Sequence, residues 1–182
     1  STPPAITVIN HVLQESFDLV IKEAEVQENN SGFKALDMAL LRKCPVPVWL
    51  CRPIAAARDK IKVGVAIDPD NSEAAAQHLS KRLLELADSL AAHYSQNLHI
   101  ISCWDYAIEA SLRGNVFLKV PEEQINQEIE REKMVHDKAL TDLIQSSDMQ
   151  VKHKIHHVKG QAADLIPQIV KEQGIDILVM GT

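Results

Sequence analysis

The stretch Ile61-Lys62-Val63-Gly64-Val65-Ala66-Ile67-Asp68 decides the fold. It is a short, almost wholly apolar run, and the turn sequence Asp68-Pro69-Asp70-Asn71 follows it at once. A run of this kind is typical of a strand that is buried on both faces of a parallel sheet. The rest of the chain must therefore supply neighbouring strands and covering helices.

Downstream of this strand, helical and strand patterns alternate. The spacing predicts a helix of about 22 residues from Asn71 or Ser72, a strand Leu98–Trp104, an irregular connection over 105–120, a helix from Pro121 to about Ser147, a strand Met149–Val158, a helix over 162–173 and a strand Ile175–Met180. Such alternation favours an α/β fold with a parallel sheet and helices on both faces.

The part of the chain before Ile61 also alternates between helical and strand patterns. We expect a helix over Ile6–Leu13, a buried strand Phe17–Ile21, a helix over Phe33–Leu41 and a strand Val46–Cys51. Residues 52–60 have the composition of a linker.

Composition excludes several classes of protein. The 182 residues carry a net charge of −6, which argues against binding to a nucleic-acid backbone. No apolar run approaches the length of a membrane span, so we expect no membrane association. Three cysteines without a CxxC pair favour free thiols in a reducing compartment, and we expect a cytoplasmic protein.

An internal repeat changes this interpretation of the chain. Phe17-Asp18-Leu19-Val20-Ile21 matches Ile175-Asp176-Ile177-Leu178-Val179 without gaps, at an offset of 158 residues. The alternative is that any helix followed by a buried strand produces this likeness. If the repeat is real, 1–53 is the second half of one repeat, 54–60 is a linker, and 61–182 is a second repeat without its last helix and strand. The chain is then an out-of-phase fragment.

Three segments resemble one known family. The strand Ile61–Asp68, the stretch from Val158-Lys159-Gly160 to Met180-Gly181-Thr182, and the segment Leu40–Leu50 are similar to the first strand, the third helix with the fourth strand, and the final helix with the final strand of universal stress proteins. Leu40–Leu50 has the form seen in the tandem, E-type members.

The resemblance implies a doubly wound, five-stranded parallel sheet in the order 3-2-1-4-5, the adenine nucleotide alpha hydrolase-like fold. Ligands of such sheets bind where the strand order reverses, between strands 1 and 4. The family's nucleotide-binding positions correspond here to Ala66, Asp68, Cys103, Met180, Gly181 and Thr182.

Departures from the family pattern argue against tight ATP binding by this chain. Asp68-Pro69-Asp70 stands where binding members have Asp-Gly-Ser, so an amide is lost and a negative charge is gained. The stretch after Ile21 is acidic and has one glycine, and the family's glycine-rich phosphate loop is expected after Thr182. We expect a non-catalytic stress-response module, either a scaffold or a ligand-binding protein, with no cofactor. The alternative is an ATP/ADP-binding stress switch in the full-length protein, and a cavity for an apolar or acylated ligand is a third option.

Other sites and classes fit less well. A receiver domain needs an acceptor Asp and a later Lys that the strands do not supply, and an ATP-pyrophosphatase needs a Ser-Gly-Gly-x-Asp loop. His153, His156 and His157 are expected to be ordinary imidazoles on an exposed strand, with His156 pointing away from the other two. Cys103 is expected to be a small core residue. No catalytic or metal site is expected.

The resemblance also implies an oligomer. Family members form dimers through their last strand, which is Val46–Cys51 here. We expect that strand either to pair with a neighbouring chain in a homo-oligomer or to lie beside Ile175–Met180 in the same chain.

Overall fold

The computed structural model describes residues 3–25, 32–70, 74–114 and 120–181. They form two compact units that divide after Ala55. The first unit contains α1 (Pro4–Glu15), β1 (Val20–Glu23), α2 (Ala35–Lys43) and β2 (Val48–Cys51). The second contains a 3₁₀ turn at Arg58–Lys60, β3 (Val63–Ala66), α3 (Ala74–Ala92), β4 (Asn97–Trp104), α4 (Glu109–Gly114), α5 (Glu122–Ser146), β5 (Lys152–Lys159), α6 (Ala162–Gln173) and β6 (Ile177–Met180).

The first unit is a parallel two-stranded sheet, with α1 packed against α2. Val20 lies opposite Val48, and Glu23 lies opposite Cys51. The strand predicted over Phe17–Ile21 was therefore placed too early, and the prediction that it is buried was wrong. Phe17 is 48% exposed because Ser16, in a left-handed conformation, ends α1 immediately before it. Ile21 is 63% exposed, since β1 has a single neighbouring strand in the described ladders.

The second unit is a four-stranded parallel sheet in the order β5-β4-β3-β6. Every residue of the central strand β3 is buried, as its apolar sequence predicts. Ile101 of β4 packs with Ile169 of α6, and Trp104 packs with Ile125 of α5. Because Ile101 and Trp104 are an odd number of residues apart on one strand, their side chains point to opposite faces. Helices therefore cover both faces of the sheet.

The α/β class and the parallel pairing are confirmed, but the five-stranded order 3-2-1-4-5 is not found. The strands form separate sheets of two and four, because β2 pairs with β1 and β6 is an edge of the larger sheet. The second unit reproduces the first four positions of the expected order, with β3 as strand 1 and β6 as strand 4.

One local prediction is wrong, and another concerns residues that the structure does not describe. The connection over 105–120 is not wholly irregular, because it contains α4, where Arg113 bonds Glu109 one helical turn away. The predicted cap at Asn71 or Ser72 lies outside the described residues. α6 has the predicted bounds, and it ends where Gly174 takes a left-handed conformation (φ 62°) that favours glycine. None of the described helices has the length and apolarity that crossing a bilayer requires.

Candidate functional site

Four of the six predicted site residues meet at one edge of the four-stranded sheet. Ala66, the last residue of β3, lies opposite Met180, the last residue of β6. Gly181 follows β6 directly, and Asp68 stands two residues beyond the end of β3. The carboxyl ends of β3 and β6 are therefore adjacent, and the strand order reverses between them, which is where ligands of open α/β sheets bind.

The other two predicted site residues are Cys103 and Thr182, and they are not part of this pair of strand ends. Cys103 belongs to β4, two residues beyond Ile101, which lies opposite Ala66. The same register brings Cys103 to the level of Asp68. Its side chain is half-buried against the cluster that contains Ile169, and burial raises the pKa of its thiol. The thiolate is thus disfavoured, which suits a core residue better than a nucleophile. Thr182 lies outside the described residues.

Helix α3 closes one side of this edge. A Cβ atom added to Gly181 would come within 3.2 Å of Leu79 Cδ2, so glycine permits the close approach of the chain to α3. Ser80 donates a hydrogen bond from its hydroxyl to the carbonyl oxygen of Asp68 (3.1 Å). The buried Ser102 hydroxyl does the same for Ile67 (3.1 Å). These bonds fix the backbone that carries Asp68.

The loop after β3 brings two carboxylates together. The backbone N–H of Asp70 donates to Asp68 Oδ1 at 3.1 Å, which orients the Asp68 side chain. Burial raises the pKa of the Asp70 carboxyl, and the charge of Asp68 raises it further, whereas His136 lowers it. The loop therefore concentrates negative charge beside an imidazole.

That imidazole, His136, is a site residue which the sequence analysis missed. It lies on α5 and is only 2% exposed. Its Nε2 lies 3.6 Å from Asp70 Oδ2, and donor atoms of Asp68, Asp70 and His136 all lie within 4.8 Å of one another. Nε2 of His136 is buried and has no hydrogen-bond partner among the residues that the structure describes.

A second histidine stands behind the first. Nδ1 of His136 lies 2.9 Å from Nε2 of His157, and the two ring planes differ by 14°. Nδ1 of His157 lies 3.5 Å from Asp137 Oδ1. Burial lowers the pKa of His157, and the proximity of His136 lowers it further. The result is a row of groups that runs from Asp137 to the Asp68–Asp70 loop.

The histidines of β5 are therefore not all ordinary exposed imidazoles. His156 and His157 are half-buried on opposite faces of the sheet, and His156 contacts His99 (Nε2 to Nδ1, 3.0 Å), whereas His153 is exposed. The prediction that His156 points away from His157 is confirmed. For His136, the available signal was its spacing, since it continues the buried series Ile125, Ile129, Leu140 and Ile144 along α5.

The comparisons with known proteins agree with this fold. The structure resembles that of a functionally unknown protein from Pseudomonas aeruginosa PAO1, with a TM-score of 0.72 and 22% identity over 100% of this chain and 58% of that one. It also resembles a universal stress protein from Archaeoglobus fulgidus, with a TM-score of 0.60 and 18% identity over 98% of this chain and 55% of the other. At these identities the likeness concerns the fold alone.

Sequence comparison is more specific. The chain is 26% identical to universal stress protein E of Photorhabdus laumondii over 98% of its own length and 56% of the relative's, so it spans about half of that protein. The family model for universal stress proteins matches residues 61–182, the part that contains the four-stranded sheet and the Asp68 edge. The chain therefore belongs to the universal stress protein family.

Proposed function

We propose that the chain is a non-catalytic stress-response module whose second unit binds a small ligand at the edge formed by Asp68, Met180 and Gly181. The observation that carries the proposal is the coincidence of the family match with this edge, where the order of a parallel sheet reverses. The raised pKa of the Cys103 thiol supports a binding role over nucleophilic catalysis.

The alternative is an ATP- or ADP-binding switch in the full-length protein. Asp68 and Gly181 favour it, because they follow the two strand ends where the family binds nucleotide. The residues present fit a triphosphate poorly, however, since Asp70 adds a second carboxylate beside Asp68 and Pro69 removes an amide that could donate to phosphate. We therefore give preference to a ligand without a phosphate chain.

Calorimetry on the full-length protein separates the two functions. If the switch is correct, ATP binds with submillimolar affinity and Asp68→Ala abolishes the heat, whereas the exposed control Asp59→Ala leaves it unchanged. The binding module predicts no ATP heat, and native mass spectrometry of the purified protein then shows a retained ligand mass. In the source organism, deletion of the gene should lower survival under stress, and the coding sequence should restore it. Full survival of the deletion strain would contradict the stress-response role.

We also propose that the two units derive from two repeats of a tandem protein. Helices α1 and α6 both have 12 residues, and their first residues, Pro4 and Ala162, stand at the repeat offset of 158. Both helices end in a left-handed residue, Ser16 (φ 55°, ψ 43°) and Gly174 (φ 62°, ψ 46°). The full-length gene tests this proposal, because it should encode the complementary halves of both repeats.

Val46–Cys51 is the proposed contact of a homo-oligomer. Its strand β2 pairs with β1, and all four residues of β2, including Trp49, are only half-buried within the described part of the chain. Trp49→Asp should lower the molar mass in solution, and an unchanged mass of folded protein would exclude this contact. The three cysteines are free, which supports a cytoplasmic location.

A further inference from the structure

We propose that Asp68, Asp70 and His136 bind a divalent first-row transition-metal ion of the zinc type. Three donor atoms converge there, one from each side chain, within 4.8 Å of one another. The inference goes beyond the proposed function and does not depend on it, because a metal site needs neither a nucleotide nor an organic ligand. It departs from the expectation, based on the sequence, of no metal site.

The first argument is the state of the His136 ring. A polar atom that is buried without a hydrogen bond costs about 1–3 kcal/mol, and proteins seldom leave one in that state. Within the described part of the chain, Nε2 of His136 is such an atom, on a side chain that is 2% exposed. Its distance of 3.6 Å to Asp70 is too long for a hydrogen bond. A metal ion between the two groups would supply the missing partner.

The second argument is geometry and charge. In a tetrahedral site with metal–ligand bonds of about 2.0–2.1 Å, neighbouring donor atoms lie about 3.4 Å apart. The separation of His136 Nε2 and Asp70 Oδ2 is already close to that value. Two carboxylates and a neutral imidazole balance the charge of a divalent ion. An imidazole donor favours zinc-like ions over Mg²⁺, which prefers oxygen ligands.

The third argument is the group behind the ligand. When His136 binds metal through Nε2, its Nδ1 must carry the proton, and that N–H then donates to His157 Nε2, 2.9 Å away. Nδ1 of His157 then carries the second proton and faces Asp137. Metal-binding histidines usually have such a hydrogen-bond acceptor behind them, which fixes the tautomer and the ring orientation. His157 is thus a positioning residue of the proposed site.

The fourth argument concerns the Asp68-Pro69-Asp70 loop. Two carboxylates that converge without a cation repel each other, and the bond from Asp70 N–H to Asp68 Oδ1 holds them together nevertheless. Asp70 is one of the two residues of the loop that depart from the family pattern, Pro69 being the other, and it belongs to the donor set. The departure that disfavours phosphate therefore creates a site for a cation.

The test is a calorimetric titration of Zn²⁺ into the full chain after treatment with a chelator, with no nucleotide present. We expect one Zn²⁺ per chain. Asp70→Asn should weaken the affinity at least tenfold, and the variant should fold because the Asp70 side chain is exposed. His157→Gln should weaken it by about 10–100-fold, the range found for groups that orient a metal ligand. The control Asp59→Asn removes an equal charge at an exposed position and should leave the affinity unchanged.

Co²⁺ gives a spectroscopic measurement. Its visible absorption bands should report a site with a nitrogen ligand, and His136→Gln should abolish them. No binding of Zn²⁺ would overturn the proposal. An affinity that Asp70→Asn leaves unchanged would overturn it too, because the ion would then be held by other residues. Because these titrations contain no other ligand, their failure leaves the proposed stress-response function unaffected.

Discussion

The two units provide different partners for a carboxylate that lies near the end of a strand. In the first, Asp37 of α2 is fully buried, and Lys22 of β1 places its Nζ 2.9 Å from Asp37 Oδ1, as an ion pair rather than an aligned hydrogen bond. The backbone N–H of Glu25 donates to the other oxygen, at 2.6 Å. In the second unit, Asp70 faces the buried imidazole of His136, whose Nε2 has no hydrogen-bond partner among the described residues.

Under the proposed repeat, the two units differ at one corresponding position. Lys22 of β1 stands 158 residues before Met180 of β6, so the position that the proposed repeat makes equivalent carries a cation in one unit and a thioether in the other. The first unit therefore neutralises its carboxylate with its own lysine. The second lacks that lysine and gathers two carboxylates and a histidine, a donor set that suits a cation from solution.

The units also differ in how they bury their strands. Every residue of β3 is buried, whereas β1 and β2 are half-buried or exposed. The four-stranded sheet has helices on both faces, which supply a core that two strands cannot form.

The largest expected effect comes from that core. Ile100→Ala removes a fully buried side chain of β4 and should lower the free energy of unfolding of the second unit by about 2–5 kcal/mol. The matched change in the first unit, Ile21→Ala, affects a side chain that is 63% exposed and should cost no more than about 0.5 kcal/mol. Urea denaturation followed by hydrogen exchange of peptides from each unit measures both changes. Equal costs would contradict the difference in burial.

The second-largest effect on stability is expected for Asp37→Ala. It leaves the N–H of Glu25 without its acceptor and Lys22 without its buried partner. An unsatisfied group of this kind should destabilise the first unit by about 1–3 kcal/mol. The control is Glu23→Ala, which removes an exposed carboxylate from β1, the strand that carries Lys22. If both variants unfold at the same urea concentration, the Asp37 contacts do not stabilise the first unit.

Sequence reasoning located elements where short-range signals agree. The bounds of α6 follow from its apolar spacing and from Gly174, both local. β1 was placed three residues early because Phe17–Ile21 has the apolar composition of a buried strand. Its position is set instead by the pairing of Val20 with Val48, a contact between residues distant in sequence. α4 was missed because a helix of six residues is too short to show apolar periodicity, although Leu112 packs against the core and Arg113 pairs with Glu109 and Glu122.

The site, like the fold, was predicted from the sequence only in part. Asp68 and Gly181 were identified because they follow strands whose carboxyl ends must meet at one edge of the sheet. His136 is 66 residues from Asp70, and only the packing of α5 against α3 and β4 brings the two together. A histidine on the apolar stripe of a charged helix indicates a buried group, but the sequence does not say which group it faces.

The two units should also differ in how their stability depends on pH. Burial lowers the pKa values of His99 and His156, and the neighbouring Lys62 and Lys154 contribute. The folded second unit then binds fewer protons than the unfolded chain, so its stability is complete above about pH 6.5 and declines as the pH falls below that value. The effect should be smaller than the substitutions above, because water screens these partly exposed rings. Hydrogen exchange at pH 7 and pH 5 measures it.

The first unit should respond at the opposite end of the pH scale. Glu25 and Asp37 raise the pKa of Lys22 above 10.5, so the contribution of this lysine is complete below that pH and is lost as the pH rises through the raised value. His156→Gln should reduce the acid response of the second unit and leave the first unchanged. An acid response of equal size in both units would show that the histidine pair is not its cause.

The smallest effect should come from Asp70→Asn in metal-free protein, and it should be opposite in sign to that of Asp37→Ala. Asp70 lies close to Asp68 with no lysine among its described contacts, so removal of its charge relieves repulsion. Its side chain is 44% exposed, and a change at such a position alters stability by no more than about 0.5 kcal/mol. Thermal unfolding in the presence of a chelator should show an equal or slightly higher midpoint. A loss as large as that of Asp37→Ala would make Asp70 a structural carboxylate, and the contrast between the two units would fail.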